Sequence, residues 1–295
     1  MDMIEQLSSG LADKIFAAAR FTVGITGGKR PMSGILWRPD VVVTSEQMLP
    51  DDISALQIER GGQTVAGTLA GRDKGTNVAV LKLQTGLDCV FPPAAETVRV
   101  GNLALVIGAD LAGNPTGRLA MVHALGDAWH SMAGGRIDAL IRLGTRLGMD
   151  EGGPVLSLAG GLIGMSTSGP RRRTIVIPTA TVARVVDPLL ADGRIMRGWL
   201  GVALQPVMIP NNFRQTVGRE TGLMVVGLAG GGPAETAGML PGDIVLDIDG
   251  TAVDRPRALT LTLGPERIGQ VAALRVLRAG TVQAVSVTIA ARPAA

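Results

Sequence analysis

The chain has 295 residues, of which 46% are hydrophobic and 18% charged, with a formal net charge of +3. This length suits one large domain or two ordinary ones, and the apolar content excludes a disordered chain. A single cysteine, Cys89, excludes a disulfide framework and a cysteine-cluster zinc site, and two histidines, His123 and His130, leave little for a metal centre or a histidine relay. No cofactor and no metal is expected, and the absence of aromatic residues interleaved with a basic stripe speaks against nucleic-acid binding.

In chain order, Met3, Leu7, Leu11 and Ile15 recur near helical spacing, so residues 1–20 are expected to form an amphipathic helix that packs on its own domain or docks a partner. Its acidic start (Asp2, Glu5) and lack of a long apolar run do not fit a secretory signal, and no stretch of the chain is long and apolar enough for a membrane span. The expected location is the cytoplasm if Met1 is the native start, or the periplasm if an export signal has been removed. From Phe21 to about Ser168 short apolar runs alternate with turns: FTVGITG, SGILW, VVVTS, VAVLKL, LALVIGA, PVLSL and GLIGMSTS. Regular strands without long helices between them indicate a sandwich or barrel. Pro178 to Gly193 then reads as a helix, with Val182, Val185, Val186 and Leu189 on one side and Gly193 as its stop. After Arg197 the composition changes. Strands in LMVVGL, IVLDIDG, VAALRVLRAG and AVSVTI, with short helices at Pro233 to Met239 and Arg255 to Gly264, form a separate small domain. The expected boundaries are 1–20 for the helix, 21–192 for the first domain and 193–295 for a linker and the second.

Four segments, in order, resemble the HtrA/DegP family of trypsin-fold serine proteases. SGILWRPDVVVTSEQML (Ser33 to Leu49) is similar to a strand pair ending in a TNxHVV-type motif, and GTNVAVLKL (Gly75 to Leu83) to TDLAVLKI. MDEGGPVLSLAGGLIGMST (Met149 to Thr167) is similar to GNSGGPLxNxxGxVIGIN, and Val176 to Gln205 to the segment joining the protease to a PDZ domain. The resemblance implies a mainly β fold: a trypsin-like double β-barrel followed by a PDZ domain, which is a small, partly open α+β barrel. It also places Gln47 at the catalytic histidine, Asn77 at the aspartate, Glu151 at the serine, and Met149 at an oxyanion-hole glycine.

Acyl transfer needs a hydroxyl or thiol nucleophile and a base to take its proton. Gln47 has no useful basicity, Asn77 has no charge to stabilise an imidazolium, and Glu151 is a poor nucleophile whose acyl product would be an anhydride. Met149 keeps a backbone N–H but adds a Cβ that restricts its backbone. The degenerate positions are therefore expected to be non-catalytic, forming a polar cluster among themselves or receiving a partner's arginine at Glu151. Thr44 and Ser45 are expected to make local hydrogen bonds, His123 to be a satisfied structural histidine, His130 to be solvated and Cys89 to be buried. Asp150 and Glu151, adjacent in an extended chain, are expected to point apart.

In the second domain, GWLGVALQPV and PAETAGMLPGDIVLDIDG resemble the PDZ domains of HtrA-type proteases. The resemblance assigns the carboxylate-holding loop to Trp199, Leu200, Gly201 and Val202, and an apolar groove wall to Leu259 and Leu263. A PDZ groove takes a peptide as an added strand; the alternative is an assembly module in which Trp199 is a packed linker residue. Arg171, Arg172 and Arg173 form a basic run that is either a solvated surface or a contact for an acidic partner. The family's N-terminal aromatic trimer contact points to Phe16 and Phe21. The expected function is a non-catalytic, HtrA-like peptide- or protein-binding adaptor, chaperone-like factor or subunit of a larger assembly, as a homotrimer or within a hetero-complex. The alternatives are a hydrolase with an unconventional site and a purely structural subunit.

Overall fold

The computed structural model describes residues 2–28, 30–53, 56–95 and 97–293. The chain divides into two compact units, the first ending at Ile195 and the second beginning at Met196.

The first unit opens with helix α1 (Met3–Ala18), at whose start the Glu5 carboxylate accepts from the Asp2 N–H at 3.2 Å. Leu11 and Ile15 pack on the barrel core and Ala18 is buried, whereas Met3, Ile4, Leu7 and Phe16 are exposed. Phe21, just beyond the helix, lies in that core. Of the two phenylalanines expected to mediate trimer contacts, only Phe16 therefore presents its ring at the surface.

Strands β1 (Thr22–Thr26), β2 (Met32–Arg38), β3 (Val41–Ser45), β4 (Leu56–Arg60), β5 (Gln63–Asp73) and β6 (Val78–Leu83) close into a barrel in the order β1-β2-β3-β6-β5-β4. A second set follows: β7 (Leu103–Ala109), β8 (Pro115–Gly126), the short pair β9 (Trp129–His130) and β10 (Arg136–Ile137), then β11 (Leu140–Leu143), β12 (Pro154–Ser157), β13 (Leu162–Ser168) and β14 (Thr174–Pro178). Apart from the β9–β10 pair, these close into a barrel in the order β11-β14-β13-β12-β7-β8. The β-branched run of β3 is buried on both faces, because one face lines its own barrel and the other meets the neighbouring one. One hydrophobic cluster continues from Val23, Ile35 and Val80 of the first barrel to Leu105, Leu156 and Met165 of the second, so the two barrels are joined by an apolar contact, while Val106, Val122, Val155 and Val176 form a separate core in the second. Helix α2 (Thr179–Asp192) buries Val182, Val185, Val186 and Leu189 and ends on Gly193 in the left-handed region.

The second unit pairs β15 (Gly198–Trp199) with β22 (Ala290–Ala291). Its main sheet runs β16 (Val202–Met208), β17 (Thr221–Leu228), β18 (Ile244–Ile248), β20 (Val271–Arg278) and β21 (Thr281–Thr288), with β19 (Thr251–Ala252) paired to β18. Helices α3 (Asn211–Val217), α4 (Pro233–Thr236) and α5 (Pro256–Thr262) lie between strands. Leu200, Leu223, Met239, Val245, Leu274 and Val287 are among the residues that build its core. The sequence reading missed α3, although Pro210 before it and left-handed Gly218 after it are its punctuation.

Candidate functional site

Three turns meet where the two barrels join. Gln47 sits on a single helical turn, Glu46–Met48, directly after β3. Asn77 precedes β6, and the β3–β6 register, with Ser45 opposite Val78, sets it beside Gln47. Its φ is +57°, a left-handed value that asparagine tolerates better than most residues. In that conformation its Oδ1 accepts from the Gln47 N–H at 2.8 Å and its carbonyl from the Glu46 N–H at 3.2 Å. Beneath the turn, buried Glu46 is held by Arg72 at 2.6 Å.

Glu151 rides on the loop entering β12. A Cβ on Gly152, whose φ is +88°, would stand 2.3 Å from the Ser33 carbonyl, and one on Gly153 would stand 2.1 Å from that of Ile107. Only glycine lets the loop lie this close to both barrels. The loop is fastened by Gly152 N–H to Ser166 O (2.9 Å), Ser166 Oγ to Asp150 O (2.6 Å), Ser33 Oγ to Met149 O (2.6 Å) and Ser33 N–H to Glu151 O (2.9 Å).

The loop places the Glu151 carboxylate among donors. Oε1 accepts from Gln47 Nε2 at 2.6 Å, Ser168 N–H at 3.1 Å and Ser45 Oγ at 3.3 Å, and Oε2 accepts from Ser168 Oγ at 2.7 Å. Gln47 Nε2 also donates to Thr167 Oγ1 (3.1 Å) and Ser168 O (2.9 Å), and Asn77 Nδ2 donates to Ser45 Oγ and Thr167 Oγ1. Glu151 is only 5% exposed. The structure thus brings Gln47, Asn77 and Glu151 into one network. It adds Thr167 and Ser168, which the sequence reading missed because β13 carries them over from the far side of the loop. Asp150 points the other way, accepting from Gly148 N–H at 2.7 Å and pairing with Arg118 at 3.0 Å.

The position that the resemblance assigns to the oxyanion hole lies in a closed turn. The Glu151 N–H is directed to the Gly148 carbonyl at 3.4 Å, and the Met149 side chain is partly exposed. Chemically, the cluster holds one carboxylate saturated by amide and hydroxyl donors, with no imidazole in it. Thr44 Oγ1 donates to the Ser33 carbonyl on the neighbouring strand, whereas Ser45, expected to bond locally, belongs to the network of Glu151, Asn77 and Thr167. Two other expectations are corrected. His123 is exposed on β8, where alternation turns it outward, so it is not a buried structural histidine. Cys89 is half-buried, with Sγ directed to the Leu36 carbonyl at 3.2 Å, and burial pushes its thiol pKa up.

In the second unit, Trp199 is half-buried on β15 and Leu200 is fully buried. The carbonyls of Leu200 and Gly201 accept from Ala234 and Ala229, both at 2.8 Å. Gly201 has φ +77°, and a Cβ there would stand 3.3 Å from the Trp199 ring. Val202 begins β16, the edge strand of the main sheet, with α5 beside it. Leu259 and Leu263 are 6% and 8% exposed and belong to the core of this unit. The six residues assigned to a peptide groove thus lie together, though the two leucines are core as much as wall.

Residues 32–165 match the family model of the trypsin-like peptidase domain, and residues 198–289 that of the PDZ domain. The chain is HtrA/DegP-like, a trypsin-like peptidase domain followed by a PDZ domain. It is 30% identical over 281 residues to a probable periplasmic serine endoprotease DegP-like of Brucella suis biovar 1, covering 90% of this chain and 54% of the relative. A protein of the same name from Rhizobium meliloti is 28% identical over 263 residues, covering 85% and 51%. This HtrA/DegP-like chain therefore spans about half the length of the curated relatives it matches. Among solved structures, the HtrA-type protease AlgW with decapeptide superposes with a TM-score of 0.72 at 21% identity, covering 96% of this chain and 99% of that one. The serine endoprotease from Yersinia pestis gives 0.70 at 22%, covering 95% and 98%. These two share the fold.

Proposed function

We propose that this HtrA-like chain is non-catalytic and acts by binding peptide or protein, as an adaptor, chaperone-like factor or subunit of a larger assembly. The observation that carries the reading is the 2.6 Å contact between Gln47 Nε2 and Glu151 Oε1. The family's general base and nucleophile would meet at this point, and here an amide donates to a carboxylate. Neither group can start acyl transfer, and the surrounding donors tie the carboxylate down. The PDZ domain and its edge strand β16 support binding by strand addition. The naming of a neighbour "with decapeptide" fits the same mode. The relatives' names favour a periplasmic location, and nothing supports the cytoplasmic expectation. Among the described residues no helix is long and apolar enough to cross a membrane.

One contact favours a second reading, an unconventional hydrolase: Ser168 Oγ donates to Glu151 Oε2 at 2.7 Å, a hydroxyl beside a carboxylate. A carboxylate is a weak base for a serine hydroxyl, which makes this the lesser reading. The test is turnover of unfolded casein and a peptide library by the full chain beside Glu151→Ala, with binding of peptides bearing free or amidated C-termini. No turnover by either protein, with preference for the free carboxylate, supports the proposal. Turnover by the native chain that vanishes in the variant overturns it.

A further inference from the structure

The basic run at residues 171–173 is joined in space by arginines from elsewhere in the first unit. Strand β11 pairs with β14, with Leu143 opposite Thr174, so the turn leaving β11 and the turn entering β14 emerge side by side. Thr174 Oγ1 donates to the Thr145 carbonyl at 2.7 Å and fastens one turn to the other. Arg142 comes from β11 itself, Arg146 from the turn that leaves it, and Arg171, Arg172 and Arg173 from the turn entering β14. Together with His123 they line a cavity of about 510 Å³ with no carboxylate among its described lining residues. Arg146 and Arg172 also line the adjoining cavity of about 390 Å³, where Arg30 joins them. Among the described residues lining that second cavity the only acid is Glu151, whose oxygens are already taken by Gln47, Ser45 and Ser168.

None of these six arginines makes an ion pair among the described residues, whereas most arginines elsewhere in the first unit, such as Arg38, Arg72, Arg118 and Arg184, do. The carrying turn is also strained. Arg171 and Arg172 hold φ at +59° and +56°, the region that favours glycine, and Gly169 N–H to Arg173 O at 2.7 Å closes the turn around them. Like charges kept close in a strained turn oppose folding, and that arrangement marks a site for an opposite charge.

We propose that this arginine cleft binds an acidic peptide segment, independently of the PDZ groove. Guanidinium forks pair with carboxylates in a planar, two-bonded geometry. Their distribution over two adjoining cavities matches carboxylates repeated along a chain better than one compact anion. Among the described residues lining the cleft there is no Phe, Tyr or Trp, His123 being its one ring, and the net charge of the whole chain is only +3, both of which disfavour nucleic acid.

The test is fluorescence anisotropy of a labelled peptide of Asp and Glu alternating with Gly, titrated with the full chain at low salt. The expected result is saturable binding that weakens at least tenfold in Arg146→Glu/Arg172→Glu, weakens as salt rises, and is unchanged when the peptide's C-terminus is amidated. That last comparison separates this cleft from the PDZ groove, so either site can fail alone. Should charge reversal disturb the native circular dichroism, Arg146→Gln/Arg172→Gln serves the same comparison. Equal binding to the parent and the variants overturns the proposal. So does tighter binding of a single-stranded oligonucleotide, or displacement of the peptide by inorganic phosphate at low concentration.

Discussion

Replacing Glu151 by alanine discriminates between a site kept for chemistry and one settled into the fold. Truncation removes the acceptor for Gln47 Nε2, Ser45 Oγ, and the Ser168 N–H and O–H. Gln47 keeps Thr167 Oγ1 and Ser168 O, Ser45 can turn to Thr167 at 3.3 Å, and water reaches the half-buried Ser168 hydroxyl. What is lost outright is the acceptor for the Ser168 N–H, a cost of about 1–3 kcal/mol, partly offset because a largely buried carboxylate no longer has to be desolvated. The expected net loss is about 1 kcal/mol, which lowers the melting temperature of a unit this size by about 2–4 °C. Urea denaturation followed by tryptophan fluorescence reads the free-energy loss, with Trp37 and Trp129 in the first unit and Trp199 in the second. A Glu151→Ala protein as stable as its parent, or more so, would refute the reasoning. It would mean the carboxylate is held at a net cost, as groups retained for binding or chemistry are.

Asn77→Ala is expected to cost about 2 kcal/mol, one part for a β-carbon without a compensating amide in the left-handed region and one for the unpaired Gln47 N–H; Asn77→Gly in the same denaturation assay relieves only the first part. Leu259→Ala is expected to cost the second unit about 2–5 kcal/mol through the cavity it leaves. Lost peptide binding in that variant has to be read beside its melting curve. Burial pushes the Asp243 carboxyl up, but hydrogen bonds from Arg278 and the Leu240 N–H, with the Arg278 charge, outweigh it and hold the pKa below the usual value. Because the folded value is the lower one, this stabilisation is complete above about pH 4 and is lost as the pH falls through the depressed value. Arg278→Ala is expected to remove about 3 kcal/mol at neutral pH and to flatten the acid limb of the second unit's melting curves, since Asp243 is left 1% exposed without its cation.

The two barrels and the PDZ domain were legible because alternation, β-branched runs and glycine turns are local signals, and four ordered segments fixed how they are arranged. The meeting of Gln47, Asn77 and Glu151 was legible only through the resemblance, because residues 104 positions apart leave no mark of contact in the sequence. Ser168 was missed for the same reason. It shows as one more polar residue at the end of a strand until β12 and β13 pair and swing it over Glu151. His123 was misjudged because an apolar strand gives no clue to which of its faces meets water. The arginine cleft combines both cases. The run at residues 171–173 is plain in the sequence, but its meaning depends on Arg142 and Arg146 reaching it across the β11–β14 pairing and on a cavity whose described lining holds no acid. A charge run on a solvated loop is the common case. A run that the fold surrounds with more of the same charge, on a backbone bent into a glycine conformation without glycine, costs stability and gives nothing back within the chain itself. The acidic peptide proposed for the cleft would supply the compensation from outside the chain.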